Sequence, residues 1–148
     1  MVWANLLPEV SRLLQQFPPP DGLIIHLGGN DIGKSKTLDI IFTIRDDLLR
    51  LQLSFPNTVL VFSEVVQRLC WLSSPVKHPF EKIRRRINRA VARLLSPLHI
   101  LSFRHSELEG FIQGLYRSDG VHLSDIGLDI FNANLGTCIE MAAVWGNW

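Results

Sequence analysis

Three short apolar runs, set between segments of helical spacing, constrain this chain more than any other feature. Leu23-Ile24-Ile25-His26-Leu27 and Thr58-Val59-Leu60-Val61-Phe62 are almost continuously apolar, and Leu98–Ser102 is a weaker third run. Such runs are the pattern of strands covered on both faces, not of strands with one wet side. Around them apolar residues recur three and four apart. The series are Trp3, Leu6, Leu7, Val10, Leu13 and Leu14 in 3–16; Leu38, Ile41, Ile44, Leu48 and Leu51 in 37–53; and Ile83, Ile87, Ala90, Val91 and Leu94 in 79–95. Each predicts an amphipathic helix. Asn5 is placed to cap the first helix, with Pro8 in its first turn. Pro18-Pro19-Pro20-Asp21-Gly22, Pro56-Asn57 and Pro97 break the chain between elements. Residues 103–123 read mostly as loop, with one turn of helix near Glu107–Gln113. Ser124 can cap a last helix to about Val144, with Asp125 near its positive end. The order α-β-α-β-α-β-loop-α predicts a three-layer α/β/α sandwich with a parallel sheet. Right-handed crossovers gather the carboxyl ends of its strands along one edge, where ligands bind in open α/β sheets.

The bulk properties narrow the function classes. A chain of 148 residues predicts one domain over 1–148. With 47% hydrophobic and 20% charged residues it is not a disordered chain. A net charge of +1 argues against strong non-specific binding to nucleic acid. Cys70 and Cys138 lie in no CxxC or His/Cys cluster and are expected to be reduced, in or near the core. His78, His99 and His105 show no ligand spacing either, so neither a metal nor another cofactor is implied. No stretch reaches the roughly 20 apolar residues of a membrane span, and no basic-then-apolar leader opens the chain. An intracellular location is the expectation.

Two polar motifs fall on the predicted sheet edge. Gly28-Gly29-Asn30-Asp31 follows the first apolar run. Its glycines permit positive φ and close backbone approach. Asn30 offers a neutral amide donor of the kind that stabilises a developing oxyanion, and Asp31 can anchor the loop by accepting backbone N–H groups. Asp119-Gly120-Val121-His122 precedes the last helix. An Asp three residues before a His can fold back and accept its Nδ1–H, leaving Nε2 as a base. Either motif alone also fits an ordinary turn. It is their expected convergence on one edge that points to chemistry.

The stretches Ile24–Asp31 and Gly120–Gly127, in this order, resemble the third and fifth sequence blocks of the SGNH (GDSL-type) hydrolases. They are also similar to the esterase-like domains encoded in some retroelement reading frames. The resemblance covers most of the chain. It implies a flavodoxin-like α/β/α fold, a small acyl-ester substrate, and Ser-His-Asp ester hydrolysis. It assigns His122 as general base, Asp119 as its orienting carboxylate and Asn30 as an oxyanion-hole donor, with Gly28, Gly29 and Asp31 supporting the motif.

One block of that family has no counterpart. Its serine follows the first strand, whereas here a helix leads straight to the strand before Gly28. Ser11 sits inside that helical pattern, Ser63 reads as a turn residue and Ser106 as a helix cap, and none has the strand–turn–helix setting of a nucleophile. The expectation is a domain lacking the family's first strands, N-terminally truncated, and inactive in covalent turnover on its own. The alternative is a non-catalytic binding module, using nucleic-acid contacts along the basic helix 82–93 or a small acyl ligand in a vestigial cleft. Lys82, Arg86, Arg89 and Arg93 share one face of that helix, flanked by Arg84 and Arg85; a solvated outer face explains them as well. His26 is expected as a hydrogen-bonded core histidine, Trp71 and Phe80 as core or lid packing, and Trp145 and Trp148 as part of a frayed tail.

Overall fold

The computed structural model describes residues 1–148 except Ser73, Val76 and Lys77. Ser73, in the irregular stretch after the second apolar run, therefore lies outside the described residues. A 3₁₀ turn at Trp3–Asn5 leads into α1 (Leu6–Leu14). The helix ends earlier than its apolar spacing suggests, because Pro18, Pro19 and Pro20 have no N–H with which to extend the ladder. Asn5 precedes α1, but its Oδ1 accepts the Val2 N–H at 3.0 Å instead of capping the helix.

β1 (Gly22–Ile25), α2 (Thr37–Ser54) and β2 (Val59–Ser63) follow. Next come two short antiparallel strands, β3 (Cys70–Trp71) and β4 (Ser74–Pro75), and then α3 (His78–Leu95). Pro97 forces a 3₁₀ turn at Ser96–Leu98, closed by His99 in the left-handed region (φ 55°). The third parallel strand, β5 (Leu101–Phe103), accordingly starts three residues later than its apolar run. The long segment beyond it holds 3₁₀ turns at Ser106–Leu108 and Gln113–Leu115. α4 (Asp125–Gly146) is capped by Ser124, whose Oγ accepts the Gly127 N–H at 3.1 Å.

The sheet order is β1-β2-β5, all parallel, with Ile25 opposite Phe62 and Phe62 opposite Ser102. The two-residue period of β2 divides the core. Leu60 and Phe62 pack with Leu6, Ile44, Leu48, Ile87 and Val91 from α1, α2 and α3. Val61 packs on the other face with Cys138 and Ala142 of α4. Each of the fully buried Val, Leu, Ile and Phe side chains contributes about 1.5–3 kcal/mol over an exposed one, and burial pushes the Cys138 thiol up to about 11. These are helix, sheet and helix layers, as the alternation of periods requires. β1 pairs with β2 along one edge and with no other strand among the described residues. Trp148 is not frayed: a side chain at Gly22 would meet its ring at 3.0 Å, so the indole lies over the start of β1. No helix among the described residues is long and apolar enough to cross a membrane.

Candidate active site

The segments leaving β1, β2 and β5 meet at one sheet edge around a cleft of about 440 Å³. Asn30 and His122 both line it, with Gly28, Gly29, His26 and Arg68. The two sequence motifs therefore share one cavity.

In the first motif, Asp31 Oδ2 accepts the Trp3 N–H at 2.9 Å and ties the loop to the base of α1. Asn30 Oδ1 accepts from Arg68 Nη2 at 2.9 Å. A guanidinium has only donors, so this contact fixes the amide with its nitrogen on the other side. There Nδ2 donates to the Met1 carbonyl at 2.9 Å, leaving its second N–H for a ligand. Gly29 is required by close approach. A Cβ there would stand 2.6 Å from Arg68 Nη2, so the missing side chain makes the space the guanidinium fills.

In the second motif, Asp119 accepts three hydrogen bonds. Oδ1 takes the N–H groups of Val121 and His122, at 2.8 and 2.9 Å, and Oδ2 lies 2.6 Å from His122 Nδ1. The imidazole bond, then the two backbone bonds, hold the Asp119 carboxyl well below the usual carboxylate range. An anionic Asp119 requires Nδ1 to carry the proton, and Nε2 has no protein partner among the described residues. The turn is locked from behind by Gly120 (φ +66°), whose carbonyl accepts the N–H groups of Leu69 and Cys70 at 2.7 and 2.9 Å. The imidazole itself is exposed.

No serine is among the described residues lining the cleft. Ser63 ends β2 at the right edge but is fully buried, not a turn residue. Its Oγ lies 2.9 Å from His26 Nδ1 and 2.7 Å from His105 Nε2. Burial lowers both imidazoles, His105 to about 4, with His26 as its next cause. His26 is hydrogen-bonded, as expected, but not a core residue: the strand ends at Ile25, and the residue lines the cleft while its Nδ1 reaches inward to Ser63. Ser106 caps nothing: it opens a 3₁₀ turn with no side-chain cap bond.

The cleft wall formed by residues 64–69 is held by a buried polar face of α3 that periodicity alone did not reveal. Asn88 bonds both the N–H and the C=O of Val65, at 3.0 and 2.9 Å. Arg84 Nη1 donates to the same carbonyl at 2.9 Å, and its Nε to Glu81 Oε2 at 2.9 Å. Glu81 Oε1 accepts from Trp71 Nε1 at 3.2 Å. Arg84 is thus not a flank of the basic surface; it is 2% exposed. Lys82, Arg85, Arg86, Arg89 and Arg93 do lie outside. The available signal was spacing: Glu81, Arg84 and Asn88 are three and four apart, on the side of Ile87 and Val91. Trp71 is buried and stacks with Phe80 at a centroid distance of 6.3 Å.

No family model and no curated protein matches the chain. Solved structures do. A protein from Bacteroides fragilis designated an acylhydrolase aligns with a TM-score of 0.70 and 15% identity, over 93% of this chain and 67% of its own. A GDSL-like lipase from Bacteroides thetaiotaomicron aligns at 0.66 and 18% identity, over 94% and 69%. A Streptococcus pneumonia protein designated a platelet activating factor aligns at 0.66 and 20% identity, over 79% and 58%. The fold is that of an SGNH (GDSL-type) hydrolase. At these identities the likeness establishes architecture, and the chain spans 58–69% of the three structures' lengths. Within the SGNH-type architecture, the cleft sits where the strands' carboxyl ends converge.

Proposed function

We propose that this cleft is the base and oxyanion-donor part of a carboxylic-ester hydrolysis site. Its carrying observation is that the Asp119–His122 pair, 2.6 Å apart, shares one cavity with the amide of Asn30. In this reading His122 Nε2 takes the proton of the attacking nucleophile, and Asp119 keeps the tautomer and steadies the imidazolium that forms. Asn30 donates to the oxygen that becomes negative in the tetrahedral intermediate. The names of the acylhydrolase and GDSL-like lipase neighbours support hydrolysis of an acyl ester as the reaction.

The nucleophile is the part this cleft does not supply. Ser63 is sealed between two imidazoles, and no other serine lines the cavity among the described residues. The chain by itself therefore activates water instead of forming an acyl-serine. With p-nitrophenyl acetate we expect slow hydrolysis above the buffer rate, lost in His122→Ala, and no stoichiometric labelling by a fluorophosphonate. A rate equal to buffer, or one indifferent to His122→Ala, contradicts the assignment of the base. Stoichiometric labelling contradicts the missing nucleophile.

A further inference from the structure

We propose that the cleft is built for an anionic ligand: a small molecule carrying a carboxylate or phosphate group that Arg68 and Arg117 hold beside Asn30 and His122. Both arginines line the cavity, and none of the described residues lining it is acidic. Among the described residues neither guanidinium has a carboxylate within ion-pair distance, unlike Arg12, Arg45, Arg50, Arg84 and Arg104; Arg85, Arg86, Arg89 and Arg93 of α3 also lack one, but they do not line this cleft. An arginine kept from its usual partner and facing a cavity is a bidentate receptor for an oxyanion.

Arg68 is also held in place. Its Nη2 donates to Asn30, its guanidinium lies 5.0 Å from the Trp71 ring centroid, and Gly29 leaves it room. Lys34 lies with Arg68 in the adjoining depression, whose described lining is again without an acid. Burial disfavours the charge of Arg68; the Asn30 amide and the Trp71 ring face it, but among the described residues no carboxylate pairs with it, and a bound anion would supply that counter-charge. The carboxylates of the two motifs are committed elsewhere, Asp119 to His122 and the turn backbone and Asp31 to the Trp3 N–H. The basic face of α3 differs: none of its cations lines this cleft.

As a statement about substrate this rests on the esterase reading and makes the substrate an ester with an anionic group. As a statement about binding it does not. The test is an amide and side-chain NMR titration of the full chain at low salt. Its ligands are monomethyl succinate, methyl phosphate and, as neutral reference, dimethyl succinate. We expect saturable shifts at Asn30, Arg68 and His122 with at least one of the two anions, and affinity roughly tenfold or more above the neutral ester, the worth of one charge-assisted group. Saturation by only one anion fixes the source of the charge as carboxylate or phosphate. Arg68→Gln should lose about the same factor, and exposed Arg117→Gln a smaller one. Gly29→Ala, which displaces the end of Arg68 at ordinary backbone angles, should act like Arg68→Gln even if that variant folds poorly. Arg89→Gln, on α3, should change nothing. Equal affinity for the neutral ester, or wild-type affinity in both Arg68→Gln and Gly29→Ala, overturns the proposal. Anion binding without any hydrolysis of monomethyl succinate leaves it standing and counts against the esterase reading alone. Hydrolysis without anion preference does the reverse.

Discussion

Arg68 Nη2 donates to Asn30 Oδ1 at 2.9 Å, and that bond decides which end of the Asn30 amide is available as a donor. The arginine enters the cleft from the loop after β2, and the asparagine from the loop after β1. The two strands are neighbours in register, so the contact is a consequence of the sheet.

Asn30→Asp tests the donor. The new carboxylate would pair with Arg68 and bring no N–H to the cavity. Residual p-nitrophenyl acetate hydrolysis should drop by roughly tenfold or more, while stability measured in urea should change by less than about 1 kcal/mol. An unchanged rate would remove Asn30 from the chemistry.

Arg84→Ala tests what holds the wall. It strands Glu81, which is 2% exposed, and breaks a bond to the Val65 carbonyl. Removing one partner of a buried pair costs about 3–5 kcal/mol, to be read from chemical denaturation. A surface arginine such as Arg86 should cost less than about 0.5 kcal/mol when replaced in the same way.

Gly120→Ala tests the coupling of the histidine turn to that wall. Gly120 has φ +66°, and a Cβ would lie 3.0 Å from Cys70 Cβ and 3.1 Å from Cys70 N. Strain plus contact should cost about 1–3 kcal/mol in thermal or urea unfolding. His122 signals should shift with it, because the carbonyl of Gly120 anchors the Asp119 turn to Leu69 and Cys70.

Acid should destabilise the fold through His105, which faces Ser63, His26, Asn134 and Glu107. Its folded value is lowered to about 4 from 6.5. Between those values the unfolded chain binds the extra proton, so stability rises with pH across that window. The contribution is complete above pH 6.5 and is lost as pH falls toward 4. The loss is at most about 3 kcal/mol, and His105→Gln should flatten that limb of a stability-versus-pH curve.

The layers were legible because periodicity reports burial. Val59–Phe62 has to be covered twice, and Ile41, Ile44 and Leu48 have to face one side. Asn30, Asp119 and His122 were legible because each sits within a few residues of a strand end or helix start. Arg68, Arg84 and the His26–Ser63–His105 cluster were not, since their meaning lies in partners far along the chain. Ser63 and His105 are separated by 42 positions and Arg68 and Asn30 by 38. Arg84 in particular stands in a run of arginines, and only the packing of α3 separates the buried one from the rest.

The central claim is that Asp119 keeps the His122 proton on Nδ1 and leaves Nε2 to the cleft. Ring ¹⁵N chemical shifts of neutral His122 measure this directly. The account predicts a protonated Nδ1 and a bare Nε2 in the native chain, with the Nε2–H tautomer appearing in Asp119→Ala. A native His122 protonated at Nε2, or a tautomer unaffected by Asp119→Ala, would contradict it.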